Sequence, residues 1–224
     1  MVFRTKVTAF VAPMGAFIAL LVLNGLVPSL GKSFWLQHPE YCVFPLQTIV
    51  CAALLVRFWP AYSLQRPRQI AFGTIVGVVV FAFWISPQAI FGFPARMSGF
   101  NPDLFGAQPG LFLTTVVFRF LRLVVVVPLV EEIFWRGFLL RYLINEKFDQ
   151  VPFGTFSWLS FLVVTAAFGF SHSSADWPAA LLTGALYNWV AYRTKSLSTC
   201  VITHALTNLL LGVWIMSTKQ WGFW

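Results

Sequence analysis

Long apolar runs separated by short polar connections dominate the hydrophobicity pattern of the chain. A membrane crossing takes about 20 mostly apolar residues. Seven runs are candidates for such crossings: residues 7–27, 42–62, 69–90, 111–144, 156–170, 178–192 and 198–216. Backbone polar groups in lipid must be satisfied within the segment itself, so each run is predicted to be a helix. The pattern therefore predicts an all-α, polytopic membrane helix bundle with about seven or eight transmembrane helices.

The fourth run, residues 111–144, is too long for one perpendicular crossing, since a helix of that length would span about 50 Å. Within it, Pro128 lacks an amide hydrogen. The carbonyl of Val124 then loses its helical partner, and a kink is predicted there. Two shorter helices joined at Pro128 are the alternative, and they would raise the number of transmembrane helices to eight.

Composition supports a membrane solvent. The chain is 58% hydrophobic and 10% charged over 224 residues, whereas soluble domains carry about 25% charged residues. A domain of this size cannot bury so much apolar surface in its own core. With no internal repeat, residues 1–224 are predicted to form a single integral membrane domain. Residues 91–110, rich in Gly, Pro and Asn, are predicted to be a long flexible connection.

The net charge of +8 does not indicate nucleic acid, because no basic stripe or binding motif accompanies it. Basic residues collect instead on one side of the predicted zigzag, which the positive-inside rule makes cytoplasmic. They are Arg4, Lys6, Arg57, Arg66, Arg68, Arg141, Lys147, Arg193 and Lys195. Asp103 and Asp176 fall on the other side. The first run is too long for a signal peptide and lacks a small-x-small site, so it is interpreted as a retained helix with a cytoplasmic N-terminus.

Two adjacent carboxylates occur inside the fourth run, at Glu131 and Glu132. Glu132 and Arg136 stand at i and i+4, so they can form an ion pair on one face of a helix. Glu131 has no such partner, because position 135 is Trp135, and its uncommitted carboxylate suits a general base. The spacing thus favours Glu131 for chemistry and Glu132 with Arg136 for structural support. Two carboxylates facing a water-filled interface near the helix end remain the alternative.

Polar side chains also occur deep in the later runs. His172 closes the segment 168–172, while His204 and Asn208 lie at i and i+4 inside the last run. An interfacial histidine and an interhelical hydrogen-bonding pair are the simpler interpretations. Taken with Glu131, however, these residues provide a base, imidazoles and amide donors, which is the set required to add water to a carbonyl.

The ordered motifs Glu-Glu-x-x-x-Arg (131–136), Phe-x-x-x-His (168–172) and His-x-x-x-Asn (204–208) resemble those of the CAAX protease and bacteriocin-processing (Abi) family. That family includes the type II prenyl-protein endopeptidases, and the resemblance covers residues 127–211. The stretch 128–141 is similar to a bacterial branch associated with exosortase systems. The resemblance implies that residues 111–216 form a motif-bearing catalytic half. It also implies that the protein lies in the inner membrane of a bacterium.

The resemblance implies an intramembrane endopeptidase acting on a membrane-associated protein, prenylated or otherwise lipid-anchored. In that interpretation Glu131 with His172 activates water, His204 and Asn208 hold the oxyanion, and Glu132 and Arg136 brace the helix. A cofactor-free glutamate mechanism is favoured over zinc, which two histidines and a glutamate could in principle hold. A non-catalytic immunity or scaffold protein of the same fold and a small proton-coupled transporter are the alternative functions.

A simple zigzag leaves one geometric difficulty. Arg141 is on the cytoplasmic side, and at helical rise Glu131 lies about 15 Å from it. His172 lies about 24 Å along the fifth helix from Phe156, which places it near the opposite face of the membrane. Tilt, a later start of the fifth helix or a re-entrant stretch would bring the two side chains together. The side from which water and substrate enter stays open at this point.

Overall fold

The computed structural model describes residues 3–62 and 64–224, and this part of the chain is helical throughout its regular structure. Short 3-10 turns and irregular connections join the α-helices. The helices are α1 (Phe3–Leu26), α2 (Phe34–Gln37), α3 (Glu40–Phe58), α4 (Ile70–Ala89), α5 (Pro109–Tyr142), α6 (Trp158–Phe170), α7 (Trp177–Thr194) and α8 (Leu197–Thr218). The predicted all-α architecture is confirmed.

Within the described residues, five stretches are long and apolar enough to cross a membrane. They are Lys6–Leu26, Glu40–Ala61, Ile70–Ala89, Pro109–Tyr142 and Leu197–Thr218. A multi-pass membrane protein follows, but the predicted seven or eight crossings exceed these five. The difference lies in α6 and α7. The 13 residues of α6 rise about 20 Å, which is less than the hydrocarbon core of about 30 Å.

Helix α5 runs without a break past Pro128, so the alternative of two helices joined at that residue is wrong. Two π-helical segments, Leu121–Val126 and Ile133–Leu139, flank a central α-helical part at Val127–Glu132. In the first of them the amide of Val127 donates to the carbonyl of Arg122, five residues back. The wider π turn shifts the hydrogen-bonding register before Pro128, and helices commonly use such turns at functional sites.

The loops at the two ends of the bundle are tied together by polar contacts. At the basic end, Lys6 pairs with Asp149 at 2.7 Å. At the other end, Arg96 pairs with Asp176 at 2.5 Å and Lys219 pairs with Asp103. Lys6 was predicted to lie on one side of the membrane and Asp103 and Asp176 on the other, and the three contacts agree with that placement.

The predicted long connection between α4 and α5 is fastened to the end of α8. The amide of Arg96 donates to the side chain of Gln220 at 3.2 Å, and the amide of Gly222 donates to the Arg96 carbonyl at 2.8 Å. A Cβ on Gly99 would lie 2.2 Å from the carbonyl oxygen of Trp221, so only glycine permits this approach. The contacts fix the 3-10 turn Trp221–Phe223 beneath the connection.

Small residues bring α4 and α8 close together and so position the polar face of α8. A Cβ on Gly77 would lie 2.9 Å from the carbonyl oxygen of Thr203, and the Thr207 hydroxyl donates to the Gly77 carbonyl at 2.9 Å. Glycine and threonine contacts of this kind are typical of helix packing in membranes, where backbones approach closely.

Two buried arginines in α5, Arg119 and Arg122, are held by aromatic rings rather than by carboxylates. The Arg122 guanidinium lies 4.4 Å from the ring centre of Phe44 and donates to the Gln47 side chain at 2.6 Å. The Arg119 guanidinium lies 4.9 Å from the centres of both Phe44 and Phe100. Cation–π contacts strengthen when desolvated, so these rings offset part of the cost of burying the charges.

Candidate active site

The four residues that the sequence analysis assigned to catalysis line one cavity inside the bundle. Glu131 from α5, His172 after α6, and His204 and Asn208 from α8 surround a volume of about 150 Å³. This space is large enough for a few water molecules. Its walls are completed by residues of α4 and α7, so five helices contribute to it.

The expected separation of Glu131 and His172 is not found, because both side chains line the same cavity. Helix α6 begins at Trp158 rather than at Phe156, so His172 lies about 21 Å along the helix from its start. This later start removes only about 3 Å of the expected separation.

The predicted ion pair between Glu132 and Arg136 is present and fully buried. Arg136 Nη1 donates to Glu132 Oε1 at 3.0 Å, and both side chains have an exposed fraction of 0%. Arg136 also donates to Asn188 Oδ1 and to the Gly184 carbonyl, each at 3.1 Å. The same Glu132 oxygen lies 2.9 Å from Nδ1 of His204 in α8. The Glu132–Arg136 pair therefore links α5, α7 and α8.

Glu131 differs from its neighbour in every one of these respects. Its side chain is only partly buried, and within residues 3–62 and 64–224 no hydrogen bond or ion pair engages its carboxylate. The guanidinium of Arg122 is close enough to interact with it electrostatically. The carboxylate is therefore free to bind a water molecule in the cavity.

His172 is held in one orientation by its own helix. Its Nδ1 lies 2.8 Å from the carbonyl oxygen of Phe168, which can only accept a hydrogen bond. Nδ1 must therefore carry the proton, so Nε2 of the neutral ring has the free lone pair. The rings of Phe168 and Trp84 pack against the imidazole with centres 5.0 Å and 5.8 Å away.

Asn208 is bound to the irregular part of α5. Its Nδ2 donates to the carbonyl of Leu123 at 2.9 Å. In the π register that precedes Pro128, Leu123 is the residue whose carbonyl would have accepted the hydrogen that proline lacks. The carboxamide of α8 thus replaces the missing backbone donor of α5. One Nδ2 hydrogen remains for the cavity.

Two residues of α7 belong to the site although the sequence analysis did not select them. Asn188 is fully buried and accepts from Arg136, as described above. Tyr187 lines the cavity, and its ring centre lies 5.0 Å from that of His204. Its hydroxyl approaches Thr207 but makes no hydrogen bond of standard geometry within the described residues. The available signal was a polar pair inside an apolar run.

A zinc site was the disfavoured alternative for the same residues. Within the described parts of the chain, no group of three or more His, Cys, Asp or Glu side chains is arranged to hold a metal ion. Glu132 and His204 are bound to one another, and the same Glu132 oxygen is also paired with Arg136. The residues present therefore do not fit a three-ligand zinc centre.

A membrane bundle that gathers a free carboxylate, two imidazoles and a carboxamide around one water-sized cavity has the side chains of an intramembrane hydrolase. A family model described as type II CAAX prenyl endopeptidase, Rce1-like, matches residues 112–210. This part of the chain is similar to the domain of that family, and it contains all three motifs. No curated protein and no solved structure matched the chain.

Proposed function

We propose that the protein is an intramembrane endopeptidase that hydrolyses a peptide bond of a membrane-associated, prenylated or otherwise lipid-anchored protein. The observation that carries this proposal is the convergence of Glu131, His172, His204 and Asn208 on one cavity of about 150 Å³. Helices α6 and α7 complete the bundle as membrane-embedded segments, which gives seven in total. Following the resemblance at residues 128–141, we assign the protein to the inner membrane of a bacterium.

Glu131 and His172 activate the water. The Glu131 carboxylate accepts a proton from the water while His172 Nε2 accepts a hydrogen bond from it and fixes its orientation. The water oxygen attacks the carbonyl carbon of the scissile bond and forms a tetrahedral intermediate. Glu131 then returns the proton to the leaving nitrogen as the C–N bond breaks, so that a carboxylic acid and an amine are released.

The oxyanion of the intermediate is stabilised by donors that are already in place. Asn208 has one Nδ2 hydrogen left after its bond to Leu123, and the Tyr187 hydroxyl is available in the same cavity. His204 adds Nε2–H when its ring is protonated opposite the Glu132 carboxylate. Donors that are fixed before the reaction cost no reorganisation, and each is worth about 10²- to 10³-fold in rate at known oxyanion sites.

A purified preparation in lipid nanodiscs tests the proposal against a mixed pool of internally quenched peptides. Glu131→Gln removes the base with little change in shape and is expected to lower kcat by at least about 10²-fold. Glu146→Gln makes the same change at an exposed residue of the basic end and is expected to retain wild-type activity. Wild-type cleavage by Glu131→Gln would refute the proposal.

A further inference from the structure

A second, larger cavity adjoins the catalytic one. It has a volume of about 520 Å³ and lies between the end of α4, the start of α7 and the turn after α8. Trp84 and Phe223 line both cavities. We call this second cavity the vestibule. Its wall shares only these two rings with the catalytic cavity.

The two shared side chains are held in place by polar and cation–π contacts. Trp84 Nε1 donates to the Thr183 hydroxyl at 2.9 Å. The Arg96 guanidinium lies 4.5 Å from the ring centre of Phe223, and Asp176 anchors that guanidinium through two hydrogen bonds. The partition between the cavities is thus formed by two oriented aromatic rings.

The vestibule is mainly apolar, with polar groups at one side. Aromatic rings and prolines make up much of its wall, and the Arg96–Asp176 pair and Gln88 also line it. A volume between about 300 and 1,000 Å³ with apolar walls and few polar groups is typical of ligand sites. Such a surface suits an extended apolar peptide, whose side chains fill the volume and whose backbone meets the polar groups.

The vestibule lies at the end of the bundle with few basic residues. In the helices and loops that the structure describes, nine of the fifteen Lys and Arg residues lie at the opposite end and three at the vestibule end. The three are Lys32, Arg96 and Lys219. The positive-inside rule makes the basic end cytoplasmic, so the vestibule opens toward the extracytoplasmic side.

The cavity at the basic end does not lead to the catalytic residues. It has a volume of about 600 Å³ and contains Lys6, Arg141 and Gln150, but it shares no lining residue with the catalytic cavity. The fully buried side chains of Ile133 and Arg136 occupy the next turn of α5 beyond Glu132 on that side. The basic-end cavity is larger than the vestibule, but only the vestibule shares lining residues with the catalytic cavity. The vestibule is therefore the better candidate for the substrate entrance.

We infer that the vestibule binds an apolar stretch of the substrate polypeptide and delivers its scissile bond to Glu131 from the extracytoplasmic side. The inference rests on the proposed endopeptidase function and specifies its substrate. That substrate is a protein exposed at the outer surface of the membrane, with an apolar segment beside the cleaved bond. Trp84 and Phe223 contact this segment where it passes between the cavities.

Filling the two cavities in turn tests the binding role. The probe is the internally quenched peptide that the wild-type protein cleaves fastest in the mixed pool. Ala175→Trp, in the vestibule wall, is expected to raise KM about tenfold or more with little change in kcat. Gln150→Trp places the same bulk in the basic-end cavity and is expected to leave KM unchanged. A wild-type KM for Ala175→Trp, including the case in which lipid occupies the vestibule, would overturn the inference.

Accessible thiols test the side of entry. Cys42 is exposed and is replaced by Ser, while Cys51 and Cys200 are buried. In that background, Ala175→Cys is expected to react with a membrane-impermeant maleimide in right-side-out vesicles. Gln150→Cys is the control and is expected to react only in inverted vesicles. The reverse labelling pattern would overturn the assignment of the vestibule to the extracytoplasmic side.

The two proposals fail in different ways. Cleavage by Glu131→Gln at the wild-type rate would remove the catalytic proposal whatever the vestibule variants do. An inactive Glu131→Gln together with a wild-type KM for Ala175→Trp would leave the endopeptidase intact and remove only the vestibule as its substrate site.

Discussion

The same substitution at two neighbouring glutamates is expected to have different effects. Glu132→Gln should lower the stability of the protein, whereas Glu131→Gln should abolish its activity and leave its stability unchanged. Glu132 is fully buried and is the carboxylate partner of both Arg136 and His204. Glu132→Gln leaves the Arg136 guanidinium, also fully buried, with only the neutral acceptors Asn188 and Gly184. Breaking a buried pair in this way costs about 3–5 kcal/mol. For a chain of this length that is a fall in Tm of about 6–20 °C.

Thermal unfolding in detergent, followed by the emission of the ten tryptophans, measures this effect directly. Glu131→Gln is the matched control, because no ion pair is lost there, and its free energy of unfolding should stay within about 0.5 kcal/mol of wild type. Glu131→Gln should nevertheless be inactive, so that activity is lost at full stability. A loss below about 1 kcal/mol for Glu132→Gln, or equal losses for the two variants, would refute the division of roles.

Three further changes probe other parts of the structure. Tyr187→Phe should lower kcat by about 10²- to 10³-fold without lowering Tm, since its hydroxyl makes no standard hydrogen bond in the described structure; unchanged steady-state kinetics would exclude it as a donor. Phe44→Leu should cost about 1–3 kcal/mol in thermal unfolding, because the ring faces two buried guanidiniums; a loss below about 0.5 kcal/mol would contradict the contact's role. The hydrogen bond from Lys6 holds the pKa of Asp149 below its ordinary value of 3.8. That contribution is present above the ordinary pKa and is lost as pH falls through the folded value, so the Tm difference between wild type and Lys6→Met should shrink from about pH 5 to pH 3; a constant difference would count against it.

Local spacing was sufficient to predict the part of the site that lies on one helix. The interval from Glu132 to Arg136 predicted their ion pair, and the interval from His204 to Asn208 predicted a shared face. Asn188 was not predicted, because it acts by accepting from an arginine 52 residues away. The adjacent Tyr187 and Asn188 stood out in an apolar run, but their position did not show which distant side chain a buried acceptor would contact.

Tertiary contacts also explain why α5 does not divide into two helices at Pro128. Proline removes a donor and was expected to kink or divide the helix. Instead, a π turn changes the register before it, and Asn208, 85 residues distant from Leu123, supplies a donor from another helix. Beyond the five long apolar stretches, the number of crossings stays a prediction. Apolar runs in α6 and α7 report burial in the bundle as readily as contact with lipid.

The hydrogen bond between Asn208 and Leu123 links a defect in one helix to the placement of a proposed catalytic donor in another. A regular α5 would present no spare carbonyl at that point, and the carboxamide would lose its anchor. An engineer who replaced Pro128 to repair the helix would introduce a backbone amide that competes with Asn208 for the same acceptor. Pro128 and the π turn before it should therefore be kept in any stabilised version of the protein. A regular α5 would release the side chain of Asn208 from its fixed position in the cavity.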